Sequence, residues 1–177
     1  MSVGGLLMML GLIALPNTSS AADWVGRVVG IADGGVVVAR NEAGAMLRVR
    51  LAGVELPEPG QPFSNAAELA LVDLCYQKQA RIRVEKKSAA APRVAQVHCA
   101  GVNVNLAMVL AGMAWASRTA QHDTRIAQAE VLARQGRYGL WQAPAPMSPW
   151  EWRRCRKRGQ CGTPSDAPAT RLGSLAM

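Results

Sequence analysis

From Trp24 to Arg40, apolar and polar positions alternate on both sides of Asp33-Gly34-Gly35, with Val25, Val28, Val29 and Ile31 before it and Val36, Val37 and Val38 after it. Asp-Gly between β-branched runs is a strong turn signal, so the stretch predicts a hairpin or a sharply bent strand pair. Asn41-Glu42-Ala43-Gly44 supplies the next turn, and Leu47, Val49 and Leu51 then alternate with Arg48 and Arg50. That alternation places both arginines on the face away from the apolar side chains. Three strands in a meander thus lead into a Pro-rich loop from Pro57 to Pro62. Ser64 or Asn65 is a suitable cap for a helix through Cys75, with Ala67, Leu71, Leu74 and Cys75 at helical spacing. Ala80–Val84 and Val94–Cys99 read as a fourth and a fifth strand. Gly101 turns the chain into a short helix from Val104 to Ala111, with Gly112 as its stop, and a last helix starts at the cap Asp123 and ends before Gly136. The aliphatic stripes of all three helices are core. This order predicts a small α+β domain, a five-stranded barrel with three packed helices.

Length and charge add a leader and a tail. The 177 residues suffice for one domain with appendages. Residues 1–22 carry no charge and hold a short apolar run, Gly4 to Leu15, followed by Pro16 and small polar residues. The run is well short of the roughly 20 residues of a membrane span, so residues 1–22 are expected to be a secretory signal peptide cleaved near Ala21 or Ala22, with an uncleaved anchor as the alternative. No later stretch is long and apolar enough to span a bilayer, and the mature chain is expected to be secreted or periplasmic. Residues 23–143 form the expected domain. Residues 144–177 form a Pro-rich linker (Ala143-Pro144-Ala145-Pro146 at its start) and a basic, Trp-containing, partly disordered tail. Half of the net charge of +8 lies after Ser148, where Arg153, Arg154, Arg156, Lys157, Arg158 and Arg171 face only Glu151 and Asp166. Trp150 and Trp152 read as packing on the domain with those arginines solvated; the other reading is a basic loop for polyanions.

Four cysteines in an exported chain suggest two disulfides. A local Cys155–Cys161 bridge would leave Cys75–Cys99, and the two other connectivities stay open. The spacing is no zinc knuckle or ribbon, and His98 points away from Cys99 on its strand.

The candidate chemistry lies between Leu47 and Phe63. Here a strand delivers Arg50 beside two acids of the following loop, Glu55 and Glu58. Acids that hold metal or water, with an arginine on phosphate charge, would make a phosphodiester-cleaving centre. Solvated charges on a surface strand are the plain alternative.

Several ordered pieces carry a family resemblance. They are Gly26-Arg27-Val28-Val29-Gly30-Ile31-Ala32-Asp33-Gly34-Gly35, Arg50-Leu51-Ala52-Gly53-Val54-Glu55-Leu56-Pro57-Glu58, Gly60-Gln61-Pro62-Phe63, Gly101-Val102-Asn103-Val104-Asn105, Ala111-Gly112-Met113-Ala114-Trp115, Gly139-Leu140-Trp141 and Pro149-Trp150-Glu151-Trp152-Arg153-Arg154. Together they resemble the thermonuclease family, the staphylococcal-nuclease-like OB-fold domains, over about residues 24 to 154. The resemblance implies a five-stranded OB barrel. It also supports Cys75–Cys99, because some exported members carry cysteines at the end of the first helix and in the fifth strand.

For active members the resemblance implies calcium-dependent cleavage of DNA and RNA. Two aspartates and a main-chain carbonyl hold Ca²⁺, a glutamate handles the attacking water and two arginines stabilise the transition state. Here Arg50 matches the first arginine and Glu58 the water-handling glutamate, giving the expected catalytic pair. Glu55 stands at the second metal aspartate, followed by Leu56 where a small residue is usual. Gly35 stands at the first metal aspartate, with Asp33, two residues earlier, as the candidate substitute that also competes for its own turn backbone. The loop that carries the second arginine has become Ser88-Ala89-Ala90-Ala91-Pro92, with Arg93 one place late and so on the opposite strand face.

Ca²⁺ takes about 6–8 oxygen ligands, several of them anionic, so the loss at Gly35 is serious. Losing one electrostatic donor typically costs about 10²–10³ in rate. The first expectation is therefore a degenerate, catalytically weak or inactive homologue that binds nucleic acid or another polyanion through Arg48, Arg50, Arg81, Arg83, Arg93 and the basic tail. The second is an active Ca²⁺-dependent endonuclease using Glu55, Glu58, Arg50 and Asp33. The third is a protein-interaction module.

Overall fold

A computed structural model describes residues 23–85, 91–118, 123–159 and Cys161. The signal peptide expected at residues 1–22, the altered loop at 88–90 and the disorder expected at 162–177 lie outside them. Strand β1 (Trp24–Ala32) turns through Asp33-Gly34-Gly35 into β2 (Val36–Arg40), and β3 (Met46–Leu51) completes the antiparallel meander. A two-residue strand, β4 (Val54–Glu55), precedes α1 (Ser64–Cys75). Then come β5 (Gln79–Val84) and β6 (Arg93–Cys99), a short β7 (Val102–Asn103), α2 (Val104–Leu110), β8 (Trp115–Ala116), α3 (Thr124–Gln135), a 3₁₀ turn at Gly139–Gln142, and α4 (Pro149–Lys157).

Five strands close a barrel. The order β3-β2-β1-β5-β6 returns on itself because β6 also pairs with β3, in parallel. β1 is long enough to serve two neighbours, pairing residues 27–32 with β2 and residues 24–27 with β5. Its register with β2 shifts between Val28 and Gly30, a bulge that bends the strand around the barrel. Inward positions alternate as the pattern predicts: Val28, Val37, Val49, Ile82 and Val97 are fully buried, while Arg48, Arg50, Arg81 and Arg83 are exposed between them. The expected OB-type barrel is present, and the described residues form four α-helices rather than three.

A buried amide and a buried disulfide brace the closure. Asn105 of α2, fully buried, accepts a hydrogen bond from the Val97 backbone N–H at 2.9 Å and donates to the carbonyls of Ala52 and Ala95 at 2.8 and 3.2 Å. It thereby ties α2 to β6 and to the end of β3. Cys75 and Cys99, also fully buried, form a disulfide that fastens the end of α1 to the end of β6. The second bridge joins Cys155 to Cys161, so the local pairing forms together with the Cys75–Cys99 bridge that the family resemblance implies.

Helix ends follow sequence chemistry with one exception. Asn103 caps α2 and Asp123 caps α3, accepting from the backbone N–H groups of Leu106 and Arg125. For α1 neither Ser64 nor Asn65 is the cap. The residue before the helix is Phe63, in left-handed conformation at φ 67° and without a side-chain cap bond. Phe63 is held there by packing, because its ring joins the aromatic cluster of Trp115, Trp141 and Trp150. Burial of an aromatic ring outweighs the cost of a strained φ at a single residue.

The segment after the prolines folds back as α4. Ser148 and Glu151 form a reciprocal capping box, with Pro149 at the first helical position. Trp152 is 8% exposed, and Trp150 stacks edge-on to Trp115 at 5.9 Å between centroids. Among the described residues no helix is long and apolar enough to cross a membrane.

Two outcomes test this account. Asn105→Ala leaves the Val97 N–H without its acceptor and is expected to destabilise the domain by about 2–4 kcal/mol in chemical denaturation. The Ser148 hydroxyl and backbone N–H hold the Glu151 carboxyl below the usual glutamate range. Its contribution is therefore complete above the unfolded value and is lost as pH falls through the folded one. Acidification below about pH 4 is expected to loosen α4, seen as a tryptophan fluorescence shift that Glu151→Gln no longer shows.

Candidate active site

The loop after β3 is built from its own backbone and one buried amide. Gln61, 4% exposed, accepts a hydrogen bond from the Glu58 N–H at 2.9 Å, and its own N–H donates to the Glu58 carbonyl at 2.9 Å. Its side-chain Nε2 donates to the Met147 carbonyl at 2.6 Å, joining the loop to the approach to α4. β4 pairs with β8, with Glu55 opposite Trp115, so Glu55 is held by a ladder and Glu58 by a turn.

A small cavity of about 60 Å³ gathers the chemistry. Gly34 and Gly35 of the first hairpin, Arg50 of β3, Glu55 and Glu58 line it, as does Arg153 of α4. The sequence-predicted trio of Arg50, Glu55 and Glu58 therefore shares one site. The Arg50 guanidinium has no hydrogen-bond or ion-pair partner among the described residues.

Arg153 is what sequence reasoning left out. Its Nη2 donates to Glu55 Oε2 at 2.8 Å and its Nη1 to Glu58 Oε1 at 2.5 Å. One guanidinium thus spans both acids, and they hold it above the ordinary arginine range, the Glu55 hydrogen bond being the largest influence. Ser117 Oγ approaches the other Glu55 oxygen at 3.5 Å. Arg156, one turn further along α4, reaches the Pro59 carbonyl at 3.4 Å. The expectation that the tail arginines are solvated is corrected for Arg153: α4 packs against the domain and places it over the acidic loop.

The side of the cavity near Gly35 is apolar. Gly35 is buried with φ 73°, and a Cβ built on it would fall 2.5 Å from Leu56 Cδ2. Leu56 thus fills the space into which a side chain at position 35 would project. Asp33, the candidate substitute ligand, does not line this cavity: it lines an adjoining depression of about 240 Å³ together with Leu56 and Glu68. Among the described residues no group of three or more His, Cys, Asp or Glu is arranged to hold a metal ion.

The residues present do not fit a calcium ion. Two carboxylates are already bridged by a guanidinium, Leu56 fills the space beside Gly35, and Asp33 lines a different depression. Ca²⁺ needs more anionic oxygens than this cavity offers.

The other candidate cations divide into groups. Arg48 lies on β3 two residues before Arg50, exposed on the same face. Arg93 opens β6 opposite Val49, whereas Arg50 faces Val94. It therefore falls in the series of Ala95, Val97 and Cys99 and does not share the Arg50 face. Arg81 and Arg83 line a separate depression with Gln96 and His98, where Arg83 is paired with Asp23 at 2.8 Å. That pair draws the Asp23 carboxyl below its usual value and the Arg83 guanidinium above its own.

Comparison with known proteins gives this geometry a lineage. Residues 48–143 match the family model described as staphylococcal nuclease homologue. An uncharacterized endonuclease of Haemophilus influenzae is 37% identical over 131 residues, 74% of each chain. A micrococcal nuclease of Shigella flexneri is 34% identical over 161 residues, covering 82% of this chain and 90% of its own. A probable staphylococcal-like nuclease of Oryza sativa subsp. japonica, CAN1, is 34% identical over 112 residues, 63% of this chain but 34% of that longer protein. With the family match over more than half the chain and a closed five-stranded barrel carrying the site at the end of β3, the protein belongs to the staphylococcal nuclease homologue family.

Proposed function

We propose that this chain is a nucleic-acid-binding member of its family that contacts phosphates without metal and cleaves them weakly or not at all. The observation that carries this reading is Leu56 packed against Gly35, which closes the position a further metal-binding carboxylate needs. Arg50 and Arg48 remain exposed on one strand face, with Arg156 nearby on the loop side of α4. Exposed guanidinium groups bind phosphate oxygens and release counter-ions, so such binding weakens as salt rises. Nucleic acid suits a family whose relatives carry nuclease names, and two disulfides suit an oxidising compartment such as the periplasm or the cell exterior.

Those names also favour a second reading, an active Ca²⁺-dependent endonuclease with Arg50 and Glu58 as catalytic groups and Glu55 and Asp33 as ligands. It requires Asp33 and Glu55 to converge and Arg153 to leave both acids. A protein-interaction module would show a salt-independent partner and no retention on DNA.

Two experiments separate these readings. In chelator, the protein is expected to be retained on DNA with an affinity that falls as salt rises, and Arg50→Ala is expected to lower the salt slope by about 0.9 for one lost phosphate contact. Salt-independent binding, or none, would refute the proposal. With Ca²⁺, no cleavage is expected from the wild type or from Gly35→Asp alone, because the new side chain meets Leu56. Activity is expected to emerge when Gly35→Asp is combined with Leu56→Ala, Glu55→Asp, Arg153→Met and a repaired second-arginine loop. A wild type that cuts DNA as fast as an active relative would overturn the proposal in favour of the second reading.

A further inference from the structure

We propose that Arg153 is the resident cation of this site: its guanidinium holds the place between Glu55 and Glu58 that a divalent ion would need, so metal can enter only if Arg153 leaves. This concerns what occupies the acids and does not rest on whether the protein binds nucleic acid.

The geometry supports this in three ways. First, the carboxylate oxygens are largely taken. Glu55 Oε2 and Glu58 Oε1 accept from Arg153, and Ser117 Oγ lies against Glu55 Oε1. Glu58 Oε2 is the one oxygen of the four without a hydrogen-bond partner among the described residues. A hard divalent cation that takes six or more oxygens would compete for the same atoms while facing a fixed positive charge beside them.

Second, the arginine is positioned by a docked element. Trp152 is buried, Trp150 packs on Trp115, and Ser148 and Glu151 close the first turn of α4. Arg153 and Arg156, three residues apart and hence on one helix face, both reach the loop between Glu55 and Gly60. Gln61 binds the Met147 carbonyl beneath the same loop. The packed tryptophans and the cap hold the helix, and these bonds show where it carries its arginines.

Third, the charge balance of the cavity is already met. Glu55 and Glu58 are matched by Arg50 and Arg153, leaving no excess negative charge to draw in a dication. Removing Arg153 uncovers two acids three residues apart, with Arg50 still beside them.

The test is a calcium titration of the intact, disulfide-bonded protein, read by calorimetry and by the rise in melting temperature. The wild type is expected to show no saturable site up to about 10 mM Ca²⁺, whereas Arg153→Met gains one with a dissociation constant on the order of 1 mM, the range of weak extracellular sites. Arg153→Lys keeps the charge and is expected to stay silent, and adding Glu58→Gln to Arg153→Met is expected to abolish the gained site. A saturable wild-type site that Glu55→Gln removes would overturn the proposal. So would a folded Arg153→Met protein, with its tryptophan fluorescence unchanged, that binds no calcium. If Arg153→Met loses the docking of α4, the wild-type titration and its Glu55→Gln control still decide. Retention on DNA in chelator reports the functional reading separately.

Discussion

The parallel pairing of β3 with β6 is the constraint on which the molecule depends. It closes a sheet that would otherwise expose two edges, and it fixes the register Val49–Arg93, Arg50–Val94 and Leu51–Ala95. A parallel closure cannot be made by a hairpin, so the chain needs separate devices to hold it. Asn105 bonds to both sides of the seam, the Ala52 N–H donates to the Ala95 carbonyl at 2.7 Å, and the Cys75–Cys99 bridge anchors the far end of β6. Everything functional follows from that seam. It aims Arg50 outward at the strand end, starts the acidic loop immediately afterwards, and leaves Arg93 on the other parity.

Beside the seam the structure sets a competition between two kinds of counter-charge for the same carboxylates. A divalent ion neutralises acids by collecting oxygens from several elements, so it needs side chains converging from the first hairpin as well as from the loop. A guanidinium needs only two acceptors at the right separation, since its planar fork reaches both at once. With Gly35 in the hairpin and Leu56 against it, the hairpin offers no carboxylate at this point, and the second arrangement is the one the side chains make. The apolar wall matters as much as the lack of an acid there, because it occupies volume that any side chain at position 35 would need.

Much of the fold is legible in the sequence because it rests on local rules. Strand alternation, the Asp33-Gly34-Gly35 turn and the cap at Asp123 each depend on a few neighbouring residues. Capping chemistry misplaces the start of α1 because Phe63 is held by aromatic neighbours far along the chain, and packing there overrides the cap. At the site, Arg50, Glu55 and Glu58 are readable as a group since one strand and its loop deliver them together. Arg153 is not, because 95 residues separate it from Glu58 and its basic neighbours make it look like part of a solvated run. The signal that points to it is the Ser148–Glu151 capping box with two tryptophans beyond a short proline stretch. That combination describes a docked helix rather than a tail.

How the docking of α4 divides its labour bears on the meaning of the bridge. Arg153 is 47% exposed and its partners 25% and 31%, so each ion pair is screened and contributes about 0–1 kcal/mol. Burying a tryptophan contributes more than that, on the order of 2–3 kcal/mol. The helix is therefore held chiefly by Trp150, Trp152 and its cap, and the guanidinium is carried to the acids by a fold that does not need it there. An element positioned independently of its charged contact can hold one cation over the site without deforming the barrel. For that reason the Glu55–Arg153–Glu58 bridge is better understood as setting what the site binds than as holding the protein together.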